Sequence, residues 1–138
     1  ITDTGRLAEI IKHANPAWER DKHPATRAFQ GIRIFINNEF GEIESGIAQA
    51  LGCLKIEGRL VVISFHSLED RIIKKFISRQ TKGDNFPSDL PVMSSELSPT
   101  LKAIGKEAKA KPQEVAANPR ARSAVLRVAE KISNKGFE

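Results

Sequence analysis

The spacing of apolar residues predicts helices over the first part of the chain. Intervals of three and four residues separate the apolar positions of an opening segment, which is interrupted near Asn15-Pro16. Pro24 stands where a first helical residue would stand, and the same period then continues from Phe29 to Leu54. The first segment predicts an amphipathic helix of about four turns that reaches Trp18. The second predicts one long helix or two abutting helices.

A change of pattern near residue 59 predicts a strand. The run RLVVISF is continuous, β-branched and of strand length, which favours a parallel strand covered on both faces. Helical spacing returns with Ile72, Ile73, Phe76 and Ile77, so helix, strand and helix follow in the order of a Rossmann-like α/β fold. Residues 80–100 are rich in Gly, Pro, Ser and Asp and predict a mobile loop.

The last third of the chain predicts two short strands. They correspond to the segments LKAIG and SAVLRVAEKI. Between them, KPQEVAAN predicts a helical turn or two that opens at Pro112 and closes at Asn118-Pro119.

The polar residues after the central strand are the first candidates for chemistry. In an open α/β sheet, ligands gather beyond the carboxyl ends of parallel strands, where Ser64 and His66 stand. Ser67 and Asp70 have the spacing of a capping box, so we assign that pair to the start of the next helix. Ser64 and His66 remain as candidate site residues.

Several enzyme classes do not fit this pattern. A serine hydrolase needs a G-x-S-x-G turn and triad members from different loops, and neither a G-x-G-x-x-G nor a G-x-x-x-x-G-K-[ST] phosphate loop occurs in the chain. The single cysteine, Cys53, lacks a CxxC or histidine partner and is interpreted as a small core residue, so we expect no metal site. No apolar run is long enough to span a membrane and no secretory pattern is visible, which favours a cytoplasmic protein.

The positive charge is concentrated near the end of the chain. Residues 1–100 contain 13 Lys and Arg against 13 Asp and Glu, whereas residues 101–138 contain 9 against 4. This asymmetry suits an anionic partner, nucleic acid first, although a solvated basic surface is the alternative.

Two groups of polar residues could meet such a partner. Thr26, Arg27 and Arg33 stand near a predicted helix start, where arginine opposes the helix dipole; a surface ion pair with Glu19 or Asp21 is the alternative. A second group, Arg120 and Arg122, precedes the last strand. Guanidinium groups there could bind phosphates in bidentate fashion, cap a sheet edge or pair internally.

Three blocks of the sequence resemble one known family. HPATRAFQGIRIFINNEF, GRLVVISFHSLEDRIIKKF and NPRARSAVLRVAEK are similar to blocks of the MraW, or RsmH, family of S-adenosylmethionine-dependent methyltransferases, in the same order. The resemblance extends from about TGRLAEII to VAEKI. It implies the C-terminal part of a Rossmann-like class I methyltransferase fold. Residues 1–22 would end an inserted helical cap domain, 23–138 would belong to the α/β domain, and the last two strands would form an antiparallel edge.

The resemblance also implies a function. Family members methylate the exocyclic N4 of a cytidine in bacterial 16S ribosomal RNA. The resemblance places Ser64 and His66 at the target-base pocket, with Phe65 as a packing wall. RNA phosphates would be bound by the two polar groups, namely Thr26, Arg27, Arg33, Arg120 and Arg122.

No position in this chain matches the family's motifs for binding S-adenosylmethionine. We therefore expect a fragment of the enzyme that neither binds this cofactor tightly nor methylates RNA alone, and that self-associates through an exposed sheet edge and helix faces. The alternative is a non-catalytic, basic module that binds RNA or the ribosome.

Overall fold

A computed structural model describes residues 1–15, 23–83 and 97–134 of the chain. Its residues divide into two units, Ile1–Gly41 and Glu42–Glu138. This boundary lies within a helix and does not coincide with the predicted limit of the cap domain at residue 22. The division into a cap over 1–22 and an α/β part over 23–138 stays a prediction.

The first unit contains helices whose ends follow from local chemistry. Helix α1 spans Thr4–Ala14, and the Asp3 carboxylate accepts from the amide of Arg6 at 2.8 Å, which satisfies one of the amides left open at a helix start. Helix α2 spans Ala25–Ile36 and contacts α1. The predicted helix over the first segment is confirmed to Ala14, whereas Trp18 lies outside the described residues.

The second apolar stretch forms two abutting helices, which settles the alternative left by the sequence. Helix α2 ends at Ile36 and α3 spans Glu39–Cys53. Asn38 lies between them with a φ of 48°, in the left-handed region that Asn tolerates better than most residues. This conformation interrupts the helix and separates α2 from α3.

The strands in the described residues form an antiparallel sheet. Strand β1 spans Arg59–Ser64 and is followed by α4, Ser67–Lys82. Strands β2 and β3 are short, Leu101–Ala103 and Ala108–Lys109, and α5 follows at Pro112–Ala117. A 3₁₀ helix over Pro119–Ser123 then leads into β4, Val125–Lys131, the central strand that pairs with all three others.

One face of the sheet contains the core of the second unit. The core joins both long helices of this unit to the sheet, through Ile47, Leu51, Leu60, Ile73, Ile77, Leu101 and Ala129. Buried Leu60 and Ala129 lie opposite each other in the β1–β4 register, so they share this face. The other face is exposed at β1, where Val61 and Ile63 each retain 57% of their accessible surface.

Three sequence predictions need correction. In the described residues β1 pairs only with β4, in antiparallel fashion, so the predicted parallel pairing is not found there; its apolar run is also covered on one face rather than two. Cys53 is exposed at the end of α3, so its assignment to the core was wrong. The loop predicted over 80–100 begins inside α4, which continues to Lys82, and its residues 84–96 lie outside the described part.

Candidate nucleic-acid interface

The junction between β1 and α4 satisfies its own polar groups. His66 is the N-cap of α4, and its Nδ1 accepts from the amide of Leu68 at 3.4 Å. The Glu69 carboxylate accepts from the amides of Phe65, at 3.3 Å, and His66, at 3.2 Å. The predicted capping box of Ser67 and Asp70 was therefore placed one residue too late.

Ser64 lies on the covered side of this junction. Only 3% of its surface is accessible, and its hydroxyl donates to the carbonyl of Val125 at 3.5 Å. Ser64 thus ties the end of β1 to the start of β4. The assignment of Ser64 and His66 to a target-base pocket stays a prediction, while the contacts of both residues fix the shape of the junction.

Phe65 and the 3₁₀ helix form a shallow groove at the end of β1. The residues that line it come from the junction and from the NPRAR block: Phe65, Asn118, Pro119, Arg120, Arg122 and Ser123. The Phe65 side chain is 57% exposed. No acidic residue is among the described residues that line this groove.

The local structure turns both arginines outward. Asn118 accepts from the amide of Arg120 through its side chain at 3.2 Å, and Pro119 begins the 3₁₀ helix. Three residues make one turn of such a helix, so burial of Ala121 directs its two neighbours away from the core. Arg120 and Arg122 are accordingly exposed on either side of a buried anchor.

The groove brings together two of the three sequence blocks. Val125 directly follows the 3₁₀ helix region and pairs with Ser64, which places Arg120 and Arg122 beside Phe65. An exposed aromatic ring offers a stacking surface for a base, and guanidinium groups match phosphate oxygens in geometry and charge. The arrangement can therefore bind a single nucleic-acid strand.

The other predicted RNA contacts belong to the first unit. Thr26 and Arg27 are exposed in the first turn of α2. Arg33 donates to both carboxylate oxygens of Glu39, at 2.7 and 3.0 Å. This ion pair differs from the Glu19 or Asp21 alternatives, and both of those acidic residues lie outside the described part of the chain. The roles of Thr26, Arg27 and Arg33 toward RNA stay predictions.

Two buried or half-buried cations were missed by sequence reasoning. Arg127 donates to both oxygens of Asp70, at 2.7 and 2.9 Å, and to Glu107 at 3.3 Å. Hydrogen bonding from Arg127 lowers the pKa of Asp70, and the same contact raises the pKa of Arg127. Lys131 is almost fully buried, and its Nζ donates to the carbonyls of Leu51 and Leu54 at the end of α3. The sequence feature that could have revealed both residues is a cation within the apolar run that forms β4.

The described ranges contain neither a cluster of metal-ligating side chains nor a helix that could span a membrane. Residues 1–15, 23–83 and 97–134 contain no group of three or more His, Cys, Asp or Glu side chains arranged to hold a metal ion. Within those same ranges no helix is long and apolar enough to cross a membrane.

Comparison with known families accounts for the three sequence blocks. The model of the MraW methylase family matches residues 1–132, which is nearly the whole chain. The match includes β1, the junction, the 3₁₀ helix with its arginines, and β4. The resemblance inferred from the sequence blocks is thus confirmed, and the chain belongs to the MraW methylase family.

Proposed function

We propose that this chain supplies the RNA-binding side of an S-adenosylmethionine-dependent methyltransferase that modifies the N4 of a cytidine in bacterial small-subunit ribosomal RNA. Family membership supports methyl transfer as the activity. The observation that supports the RNA part is the groove in which Phe65 stands beside Arg120 and Arg122, with no acidic residue among the described residues that line it.

Each groove residue has a task in this proposal. A base in a stack is inaccessible to an enzyme that modifies its exocyclic amine, so the base must be exposed and held. The Phe65 ring stacks on one base of the strand, and Arg120 and Arg122 bind the adjacent phosphates. Ser64 and His66 position this ring, because their contacts fix the junction from which Phe65 projects.

The described residues do not fit the methyl donor. A helix start that binds an anionic ligand group presents open amides, but the amides of Phe65 and His66 already donate to Glu69. The sequence also lacks a glycine-rich donor loop. We propose that the donor is bound by residues other than those that the structure describes, and we assign none of its contacts here.

RNA binding by the 138-residue chain tests the groove. The probe is a single-stranded oligonucleotide of cytidines and uridines, and the measurement is fluorescence anisotropy across salt concentrations. For Arg120→Gln with Arg122→Gln, we expect the slope of log K against log salt to become shallower by about 1.4, which is the release expected for two phosphates on a single strand. Phe65→Leu should weaken binding by about 5- to 100-fold with little change of slope, because it removes stacking rather than charge.

A control with the same charge change is Lys12→Gln with Lys55→Gln, two exposed lysines outside the groove. An arginine variant whose slope equals that of the wild type would remove the groove from the RNA surface.

The methylation itself needs a separate test. Deletion of the coding gene from its host should abolish N4-methylcytidine in small-subunit ribosomal RNA, as measured by mass spectrometry of nucleosides. Complementation with the double arginine variant should restore less of the modification than the wild type does. A deletion strain with unchanged N4-methylcytidine would contradict the proposal and favour a non-catalytic RNA- or ribosome-binding module.

A further inference from the structure

The outward face of α4 carries only positive charge over most of its length. Its exposed cations are Arg71, Lys74, Lys75, Arg79 and Lys82, and no acidic residue occurs between residues 71 and 82. At about 100° per residue these side chains fall within an arc of about 140°, and they extend along about 17 Å of helix. The opposite side of α4 is buried in the core through Ile73 and Ile77. We call the five cations the α4 basic face.

The residues that the structure describes do not neutralise this face. Within the described part of the chain, no carboxylate forms an ion pair with any of the five cations. The two acidic residues of the first turn are already engaged, since Glu69 caps the helix and Asp70 pairs with Arg127. The pKa of Asp70 is lowered chiefly by its hydrogen bonds from Arg127, and the charge of Lys74 adds a smaller effect in the same direction.

Like charges on one face destabilise a helix. Arg71 and Lys75, and Lys75 and Arg79, are four residues apart, a spacing at which like charges repel each other and destabilise a helix. Nothing in the described structure offsets this repulsion. A polyanion bound along the face would offset it through its opposite charge, and release of the polyanion's condensed counterions would further favour binding.

Two anionic surfaces have the required charge, a nucleic-acid backbone and an anionic membrane. A helix that lies on a membrane inserts an exposed apolar face between lipids. The apolar face of α4 is instead part of the core, through Ile73 and Ile77, so it has nothing to insert. The structure therefore favours nucleic acid.

We propose that the α4 basic face binds the phosphate backbone of RNA and is a second contact surface besides the groove at Phe65. The identity of the ligand rests on the proposed function, because the ligand is the same RNA. The surface that binds it is separate from the groove. Arg71, Lys75 and Arg79 are its principal contacts, because they are exposed and follow one another at four-residue spacing along the helix. The surface reads no base and adds affinity without sequence preference.

The test is the triple variant Arg71→Gln, Lys75→Gln, Arg79→Gln in the 138-residue chain. Glutamine retains high helix propensity, so the circular dichroism spectrum and the denaturation midpoint should stay close to those of the wild type. With the single-stranded oligonucleotide as probe, we expect the salt slope to become shallower by about 2, at about 0.7 per phosphate on a single strand. Affinity at low salt should fall at least about tenfold.

A matched control removes the same charge elsewhere. The control is the triple variant Lys12→Gln, Lys55→Gln, Lys111→Gln, which changes three exposed lysines outside α4. This control should change the slope by less than half as much as the α4 variant does. Equal slopes for the two triple variants would show a general charge effect and overturn the proposal.

The outcomes separate this inference from the proposed function. If the groove variant changes the salt slope and the α4 variant does not, the α4 proposal alone fails. If the wild-type chain binds no RNA, both fail. A third outcome is that the wild-type chain binds phosphatidylserine vesicles and the α4 variant loses this binding, while RNA binding stays unchanged. That outcome would assign the face to membranes and overturn the proposal that it binds RNA.

Discussion

Asp70 and Arg127 form the strongest ion pair in the described part of the second unit. Both side chains are largely buried, with 19% and 14% of their surfaces accessible, and two hydrogen bonds join them. The pair links α4 to β4, and Glu107 adds a third charge from the turn before β3. Loss of Asp70 leaves Arg127 with only the longer contact to the more exposed Glu107, in a poorly solvated position.

Asp70→Asn should lower the free energy of unfolding at pH 7 by about 2 kcal/mol, because a hydrogen-bonded charge pair becomes a weaker neutral contact. The pKa of Asp70 is lowered from 3.8 in the folded state. Its contribution is therefore fully present above the unfolded value and is lost as pH falls through the lowered folded value. Urea denaturation at pH 7 and near pH 3 should show the difference between wild type and variant narrowing in acid.

Glu44→Gln is the control, since Glu44 is an exposed carboxylate on α3 and its substitution should leave stability within about 0.5 kcal/mol of the wild type. A difference between wild type and Asp70→Asn that stays constant over this pH range would contradict the role given to the ion pair.

Asp70 also explains why the helix cap was predicted one position too late. The sequence offers two overlapping patterns, His66 with Glu69 and Ser67 with Asp70, and serine is the commoner N-cap residue. Asp70 is drawn toward Arg127, 57 residues away along the chain, whereas the longer Glu69 side chain reaches two amides at the junction. Local spacing contains no information about the distant arginine, so the choice between the two caps required the structure.

At the scale of elements, the end of α4 depends on one glycine. Gly83 has a φ of 68°, in the left-handed region, and its amide donates to the carbonyl of Arg79 at 3.0 Å. An added Cβ would overlap the backbone of Ser98 and Pro99, which returns past this point. Gly83 therefore both ends the helix and admits the following segment.

Gly83→Ala should lower the free energy of unfolding by about 1–3 kcal/mol because of left-handed backbone strain. Displacement of the Ser98–Pro99 backbone should lower it further. Thermal denaturation followed by circular dichroism measures this. The control is Gly46→Ala within α3, where an added Cβ meets nothing within 4 Å. That substitution should leave stability unchanged or raise it by up to about 1 kcal/mol. Equal effects at both positions would contradict the role of Gly83.

The sequence predicted most of the described elements, but it missed the shortest strand and the break between α2 and α3. The helical period indicated α1 and α4, apolar runs indicated strands at β1, β2 and β4, and Pro112 and Asn118 marked the limits of α5. Strands β2 and β4 pair in antiparallel fashion, as the resemblance implied. Strand β3 has two residues, too few for any alternation to show. The break at Asn38 depends on a single backbone conformation, which the continuous apolar period over 29–54 conceals.

At the scale of the whole molecule, the groove was predictable only in parts. The sequence singled out Ser64 and His66 and, separately, Arg120 and Arg122, but their proximity follows from the β1–β4 register. It also gave Phe65 a minor role, although this residue has the exposed ring. The pairing of Ser64 with Val125, 61 residues later, cannot be derived from local patterns. Each block alone nevertheless indicates its own candidate residues.

The uncovered face of β1 predicts association of the 138-residue chain. Val61 and Ile63 are exposed, and their opposite neighbours Val128 and Leu126 are also apolar, which makes a continuous patch on this face. Strand β1 is also the edge of the sheet within the described residues, so its outer backbone groups lack strand partners there. Patches of this kind in water favour contact with a second apolar surface.

Val61→Thr with Ile63→Thr should weaken self-association by more than about tenfold, since burial of each apolar side chain contributes about 1.5–3 kcal/mol and threonine retains strand propensity. Sedimentation equilibrium over a range of concentrations measures the change. Phe35→Thr with Ile36→Thr, at more exposed positions of α2, removes a larger apolar area from the other unit. A larger effect of the α2 variant would place the association on helix faces rather than on β1. A wild-type chain that stays monomeric at high concentration would contradict association altogether and would leave the apolar run of β1 without a partner surface.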